Sequence, residues 1–152
     1  MLHKIEAKQF IKSDLETVWN FISSPKNLSK ITPAHMGFHI VDDSDISAMY
    51  PGQIIEYHIS PLAGIKMNWV TEITHVKEKE FFVDEQRFGP YAFWHHKHFI
   101  KAVPGGVEMR DTVHYKAPFG FLGKLVNGIF IKKQLKVIFA YRYQKMEELF
   151  NA

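Results

Sequence analysis

The segment with the most evident chemistry carries Trp94, His96 and His98 at alternate positions. It follows a Gly-Pro pair at positions 89 and 90, and the pattern around it predicts two paired strands over residues 81–88 and 93–103. Side chains at alternate positions of a strand point to the same face. Two imidazoles and one indole therefore share a face, which either lines an interior site or lies against solvent.

The two imidazoles allow several kinds of site. Histidines at positions i and i+2 of a strand can bind a divalent metal from one face, and Asp111 on the next predicted strand offers a third ligand. In a second kind of site, His96 and His98 form a polar network with Asp111, Tyr115 or ordered water inside a cavity. The third alternative is a solvent-exposed face.

Asp111 shares its predicted strand face with Tyr115 and with the apolar Met109 and Val113. A carboxylate among apolar residues is costly to bury unless it is paired, and a nearby histidine is its natural partner. Such a pair orients the imidazole and favours its charged form, which suits general acid–base catalysis. The alternative, which we favour, is a buried pair that only fixes the register of the strands.

The composition indicates a single globular domain that covers residues 1–152. Hydrophobic residues make up 46% of the chain and include 13 Phe, which can fill a core or line a cavity for an apolar ligand. The net charge of +3 is too small and too dispersed to favour nucleic-acid binding. The absence of cysteine excludes a disulfide framework. The sequence lacks a signal-peptide core and a bilayer-spanning run, so we expect a cytoplasmic protein without stable membrane insertion.

The pattern of the chain predicts a strand, two short helices, about six strands and a long helix. A strand over residues 2–12 precedes a helix that starts near Leu15. Ser13 and Asp14 are both N-cap residue types, and Glu16 lies at the capping-box spacing from Ser13. The second short helix covers Pro25 to Ile31. Predicted strands then cover residues 38–41, 53–59, 66–76, 81–88, 93–103 and 107–115, and their turn signals favour an antiparallel meander.

The chain after Pro118 is predicted to be helical, with apolar residues recurring on one face. The register breaks near Gly128, which predicts a kink or two helices. The Phe- and Gly-rich segment 119–123 acts either as a gate or as a plug of the core.

An amphipathic helix must bury its apolar face against the sheet, and a curved sheet around one helix leaves a cavity. The predicted face comprises Ile131, Leu135, Ile138, Phe139, Arg142, Met146 and Leu149.

Five segments of the chain resemble the START-like or SRPBCC superfamily, whose helix-grip fold is shared with birch pollen allergen, polyketide cyclases and lipid-transfer domains. The resemblance covers essentially the whole chain and points to a small bacterial branch related to polyketide cyclase/dehydrase-type proteins. The segments are Gly89-Pro90-Tyr91, Trp94-x-His96-x-His98, Asp111-x-Val113-x-Tyr115, Pro118-Phe119-Gly120-x-Leu122-Gly123 and Phe139-Ala140-Tyr141-Arg142.

The resemblance implies an α+β fold, in which a curved antiparallel sheet of about six to seven strands wraps around a long C-terminal helix. It also implies that the face of His96 lies inside the cavity, so we predict neither a metal nor a cofactor. We expect the cavity to bind a small hydrophobic molecule or lipid for transport, sensing or sequestration. The expected ligand-binding residues are Met67, Trp69, Gln86, Trp94, His96, His98, Asp111, Tyr115, Ile138, Phe139 and Met146.

Two other functions remain open at the level of the sequence, because this superfamily hosts carriers, sensors and enzymes on one scaffold. One is a cyclase, aromatase or dehydratase that moves protons with a cavity His or Asp. The other is a protein that acts through a partner, in cell division or at a membrane. A homodimer is compatible with the sequence, which identifies neither the ligand nor a catalytic residue.

Overall fold

The computed structural model describes residues 1–42, 46, 48–62, 64–118, 120 and 130–152. The strands within these residues are β1 (His3–Ile11), β2 (His39–Ile40), β3 (Gln53–Leu62), β4 (Ile65–Lys77), β5 (Phe81–Phe88), β6 (Phe93–Val103) and β7 (Gly106–Lys116). The helices are α1 (Leu15–Ile22), two 3₁₀ helices (Pro25–Ile31 and Ala34–Met36), α2 (Lys132–Met146) and a π-helical turn (Glu147–Asn151) that continues α2. The strands form one antiparallel sheet in the order β1-β7-β6-β5-β4-β3-β2.

The sheet and helix α2 confirm the predicted α+β arrangement. Ile131 and Leu135, at the start of α2, pack with residues of β3, β4 and β7 in one buried cluster. Met146, at the end of α2, packs with residues of β5, β6 and β7 in a second cluster. These contacts place α2 across the inner face of the sheet, so that side chains on this face point towards the helix.

Helix α1 is capped by one of the two residues that the sequence offers as N-cap types. Asp14 is the N-cap, because its Oδ1 accepts a hydrogen bond from the Thr17 N–H at 2.8 Å and its Oδ2 accepts one from the Thr17 hydroxyl at 2.6 Å. Its extended backbone directly before the helix is the geometry that an N-cap residue adopts. Asp14 is therefore confirmed as an N-cap residue, whereas the capping-box spacing from Ser13 to Glu16 is not the one that caps this helix.

The end of the chain departs from the predicted helix face. The pattern predicts Leu149 on the buried face, but Leu149 is 50% exposed. Residues Glu147–Asn151 are wound as a π-helix, whose wider turn rotates Leu149 away from the face that carries Met146. The predicted break near Gly128 and the predicted gate at 119–123 lie, apart from Gly120, outside the described residues.

The β5–β6 hairpin forms with the predicted bounds, and its turn is held by the Gln86 side chain. Nε2 of Gln86 donates to the Tyr91 carbonyl at 2.7 Å, and Oε1 accepts from the Tyr91 N–H at 3.0 Å. A Cβ on Gly89 would lie 2.7 Å from that Oε1, so glycine leaves the space that the side chain needs. The turn therefore fixes how β5 and β6 are aligned.

Gly106, the first residue of β7, leaves no room for a side chain. A Cβ at this position would lie 2.2 Å from the Ile11 carbonyl oxygen and 2.8 Å from the Phe10 ring. Gly106→Ala has to push β1 away from β7, so we expect it to lower the free energy of unfolding by about 1–3 kcal/mol in urea denaturation.

Gly105→Asn is the matched control for this substitution. Gly105 has a φ of 84°, which Asn tolerates better than other side chains, and its nearest neighbour would be the Phe10 ring at 3.8 Å. An equal loss of stability in the two variants would contradict the steric argument.

Candidate functional site

Three neighbouring strands bring two acids and two histidines together on the inner face of the sheet. Asp84 lies opposite His96 in the register of β5 and β6, and His98 lies opposite Asp111 in the register of β6 and β7. Alternation along each strand sends all four side chains to the face that α2 covers, and each of them is buried or half-buried. We refer to these four residues as the polar cluster.

His98 bridges the two carboxylates of the polar cluster. Its Nε2 lies 2.5 Å from Asp84 Oδ2, and its Nδ1 lies 3.1 Å from Asp111 Oδ1. The ring also stacks on Phe82, with the ring centroids 4.0 Å apart. Because each ring nitrogen faces a carboxylate oxygen, which can only accept, the imidazolium with a proton on both nitrogens fits this position.

His96 has only one of its two ring nitrogens engaged. Its Nε2 lies 2.8 Å from Asp111 Oδ1, whereas its Nδ1 lies 3.8 Å from Asp84 Oδ2, beyond hydrogen-bond distance. The carboxylate requires the proton on Nε2, so Nδ1 of the neutral imidazole is an unprotonated acceptor. His96 is 3% exposed and stacks on His98 at a centroid distance of 3.6 Å.

Burial and charge separate the protonation states of the two histidines. Burial, together with the charge on His98, lowers the pKa of His96 to about 4. Burial also opposes the charge on His98, but hydrogen bonds to Asp111 and Asp84 raise the pKa of His98 above its usual value. Burial raises the pKa of a carboxyl group, but hydrogen bonds and charges from the two histidines outweigh it here. The pKa of Asp111 therefore lies well below its ordinary range, and that of Asp84 is lowered. At neutral pH the polar cluster therefore holds two carboxylates, one imidazolium and one neutral imidazole.

Arg142 brings a second positive charge to the polar cluster from helix α2. Its Nη1 lies 3.9 Å from Asp111 Oδ1, and its guanidinium lies 5.4 Å from the centre of the Phe139 ring. With Arg142 included, two positive groups balance the two carboxylates. The Arg142 Nε is buried and has no hydrogen-bond partner among the described residues, and the same holds for Trp69 Nε1.

The polar cluster also has the composition of a metal site. Asp84, His96 and His98 each offer one ligand atom, and these atoms lie within 4.8 Å of one another. Two histidines and a carboxylate suit Zn²⁺ or Fe²⁺. Metal binding would require His98 to lose a proton and to give up its 2.5 Å contact with Asp84. The arrangement in the structure is that of a hydrogen-bonded network.

A cavity of about 150 Å³ lies between the sheet and α2, and the polar cluster forms part of its wall. Among the described residues, the remaining wall is mainly apolar and comes from α1, the 3₁₀ helices, strands β2 to β7 and α2. Trp69, Tyr91 and Trp94 pack against one another there, with ring centroids 4.9 to 5.6 Å apart. A volume of about 150 Å³ accepts a single aromatic ring.

Seven of the predicted ligand-binding residues line this cavity, and four do not line it in the described part of the chain. The lining residues are Trp69, Trp94, His96, His98, Asp111, Ile138 and Phe139. The sequence pattern places all seven on inward faces, and the register of the sheet brings the polar ones together.

The other four residues are engaged elsewhere. Gln86 is used by the hairpin turn. Tyr115 is a core residue, 2% exposed, whose ring stacks on His3 with centroids 5.3 Å apart. Met146 is 0% exposed in the second core cluster, and Met67 lies half-buried on β4, opposite Ile59. Strand alternation and helix spacing identify an inward face but not which inward side chains border a void.

Asp84 and Arg142 belong to the site but are absent from the residues predicted from the sequence. The sequence signal for Asp84 is its position two residues after Phe82, on the same strand face. The signal for Arg142 is a charge within an otherwise apolar helix face. Neither signal identifies a partner, because the partners come from other elements of the fold.

No protein-family model and no curated protein matches the chain. Solved structures do match it, at low sequence identity. A START superfamily protein from Mycobacterium smegmatis has a TM-score of 0.67 and 12% identity, over 97% of this chain and 99% of that one. The chain has the START-like helix-grip fold.

Two further structures are similar to this helix-grip domain. Ginseng major latex-like protein 151 from Panax ginseng has a TM-score of 0.66 and 12% identity, over 98% of this chain and 97% of that one. A protein from Chromobacterium violaceum has a TM-score of 0.72 and 12% identity, over 98% of each chain. Likeness at this identity concerns the fold, whereas function depends on the site. Within the described ranges, no helix is long and apolar enough to cross a membrane.

Proposed function

We propose that this helix-grip domain binds a small, mostly apolar molecule in the cavity between the sheet and α2, for transport, sensing or sequestration. The observation that carries the proposal is the polar cluster within an otherwise apolar cavity wall. Binding sites for small molecules combine apolar surface, which supplies most of the binding free energy, with a few polar groups that fix the orientation of the ligand.

The cost of burying the polar cluster supports a role beyond stability. Asp84, Asp111, His98 and Arg142 all lose most of their contact with water at the inner face. Replacing such an ion network by packed apolar residues is often neutral or stabilising. The backbone pairing of the strands and the two apolar clusters already stabilise the sheet and its packing against α2. A site for the polar end of a ligand gives these charged residues a function that an apolar core would not have.

Filling the cavity provides the test of this proposal. Ile138 lines the cavity from α2, so we expect Ile138→Trp to occupy the volume that an apolar ligand needs. Toluene, a one-ring hydrocarbon, should raise the thermal midpoint of the unchanged protein, because a ligand that binds only the folded state stabilises it. In Ile138→Trp this rise should disappear.

The neighbouring position on α2 offers a matched control. Val137 is 47% exposed and does not line the cavity in the described part of the chain, so Val137→Trp should retain the response to toluene. Native mass spectrometry of freshly purified protein adds an independent measurement, since a co-purifying organic molecule lost in Ile138→Trp would identify the natural ligand. Absence of any toluene response in the unchanged, folded protein would refute the proposal.

A second candidate function is an enzyme that moves protons, such as a cyclase or dehydratase. The observation that favours it is the contact of 2.8 Å between His96 Nε2 and Asp111 Oδ1, which orients the imidazole and leaves Nδ1 unprotonated, as a general base requires. His96→Ala separates the two functions. Loss of turnover with retained ligand binding indicates catalysis, whereas an equal loss of binding indicates a carrier.

A further inference from the structure

The hydrogen-bond inventory of the polar cluster leaves one vacant acceptor, Nδ1 of His96. Both nitrogens of His98 face carboxylates, and Nε2 of His96 faces Asp111. No hydrogen bond to His96 Nδ1 is present among the described residues, since its distance to Asp84 Oδ2 is 3.8 Å. A ligand that meets this nitrogen has to bring a donor.

The charge inventory of the cavity wall indicates that the donor is neutral. Asp84 and Asp111 are balanced by the His98 imidazolium and the Arg142 guanidinium, so the described groups sum to zero. Arg110 also borders the cavity, but it lies exposed on the outer face of β7 with its guanidinium on the Phe99 ring. A carboxylate or an ammonium ion would add an unbalanced charge to a buried site, which is costly.

We infer that His96 is the specificity-determining residue of this cavity and selects a neutral ring compound through a hydroxyl group, a phenol or an enol, that donates to Nδ1. This inference rests on the proposed function, because it presupposes that the cavity binds a ligand. The hydroxyl proton satisfies the vacant acceptor, and the ring occupies the apolar volume of about 150 Å³. Arg142 Nε and Trp69 Nε1 are donors in the cavity wall without a partner among the described residues, and a neutral hydroxyl or carbonyl oxygen of the ligand can accept from them without adding charge. Fatty acids and other carboxylates are selected against by their charge, although they have the apolar surface that the cavity accepts.

Five one-ring probes test this inference at pH 7: phenol, anisole, toluene, benzoate and benzylammonium. Anisole keeps the ring and the oxygen of phenol but has no proton to donate. We expect calorimetric titration to give phenol an affinity about tenfold higher than that of anisole and of toluene, which corresponds to one added hydrogen bond. Benzoate and benzylammonium should bind at least tenfold more weakly than phenol.

His96→Leu connects this preference to the residue. Leucine fills the position with a side chain that has no hydrogen-bond acceptor. Phenol and anisole should therefore bind the variant about equally, while toluene still binds. His95→Leu, on the opposite face of β6, is the control and should keep the preference for phenol. Nitrogen-15 NMR of the histidine side chains in the unchanged protein gives a measurement that does not depend on the variant folding. The His96 Nδ1 resonance should move on addition of phenol and stay in place on addition of anisole.

The outcomes separate the inference from the proposed function. If toluene binds and phenol binds no more tightly than anisole, the cavity is a ligand site but His96 does not select a hydroxyl. Tighter binding of benzoate than of phenol overturns the charge argument. Failure of all five probes to bind the folded protein overturns both the inference and the proposed function.

Discussion

At pH 7, Asp111→Ala lowers the free energy of unfolding by about 3–5 kcal/mol, the usual cost of removing one partner from a buried ion network. Asp111 accepts from His96 at 2.8 Å and lies 3.1 Å from His98 Nδ1 and 3.9 Å from Arg142 Nη1. Its removal leaves His96 Nε2–H and His98 Nδ1–H without an acceptor, and it leaves two cations with a single buried carboxylate between them. Urea denaturation followed by circular dichroism measures the loss.

Arg110→Gln is the control for this experiment. Arg110 precedes Asp111 on β7 and is exposed on the other face of the sheet, so its replacement should change the free energy of unfolding by less than about 1 kcal/mol. If Asp111→Ala also costs less than about 1 kcal/mol, the polar cluster is not the charge-balanced network that its distances describe.

His96 makes the protein lose stability as the pH falls from about 6.5 to about 4. Its pKa in the folded protein is about 4, below the value near 6.5 of an unfolded chain. In this interval the unfolded chain binds a proton that the folded protein does not bind, so acid favours unfolding. Urea denaturation at pH 7 and pH 4.5 should show that His96→Gln, which cannot be protonated, loses about 2–3 kcal/mol less than the unchanged protein.

Protonation of Asp84 and Asp111 also lowers the free energy of unfolding in acid, but both carboxylates are present in His96→Gln and in the unchanged protein. The comparison of the two proteins therefore isolates the contribution of the His96 side chain. An identical pH dependence in His96→Gln and the unchanged protein would show that His96 does not stay neutral in the folded state.

The sequence predicted the hairpin that carries the histidines with its correct bounds, because the signals for it are local. A Gly-Pro turn followed by a run rich in aromatic and apolar residues predicts the strand over residues 93–103. The alternation of side chains along a strand then places His96 and His98 on one face. The cap of α1 stayed open between Ser13 and Asp14, because both are N-cap residue types. The structure decides for Asp14, whose extended backbone directly precedes the helix. Leu149 was misplaced because the π-helical winding of Glu147–Asn151 has no periodic signal.

The composition of the site was predicted in part. Asp111 is a natural partner for a histidine on the neighbouring strand, and the structure pairs it with both His96 and His98. Asp84 completes the network only through the register of β5 against β6, and a register cannot be read from one strand alone. Arg142 enters from α2, far along the chain, through the packing of that helix on the sheet.

The sequence by itself determined which residues share a face, because strand alternation and helix spacing are local properties of the chain. Its resemblance to the START-like superfamily implied the helix-grip fold. Only the tertiary structure decided the protonation pattern. His96 and His98 are identical side chains two positions apart, yet one is a charged bridge and the other a neutral acceptor. The difference arises from the number of carboxylate oxygens that each ring meets after three strands and a helix have come together.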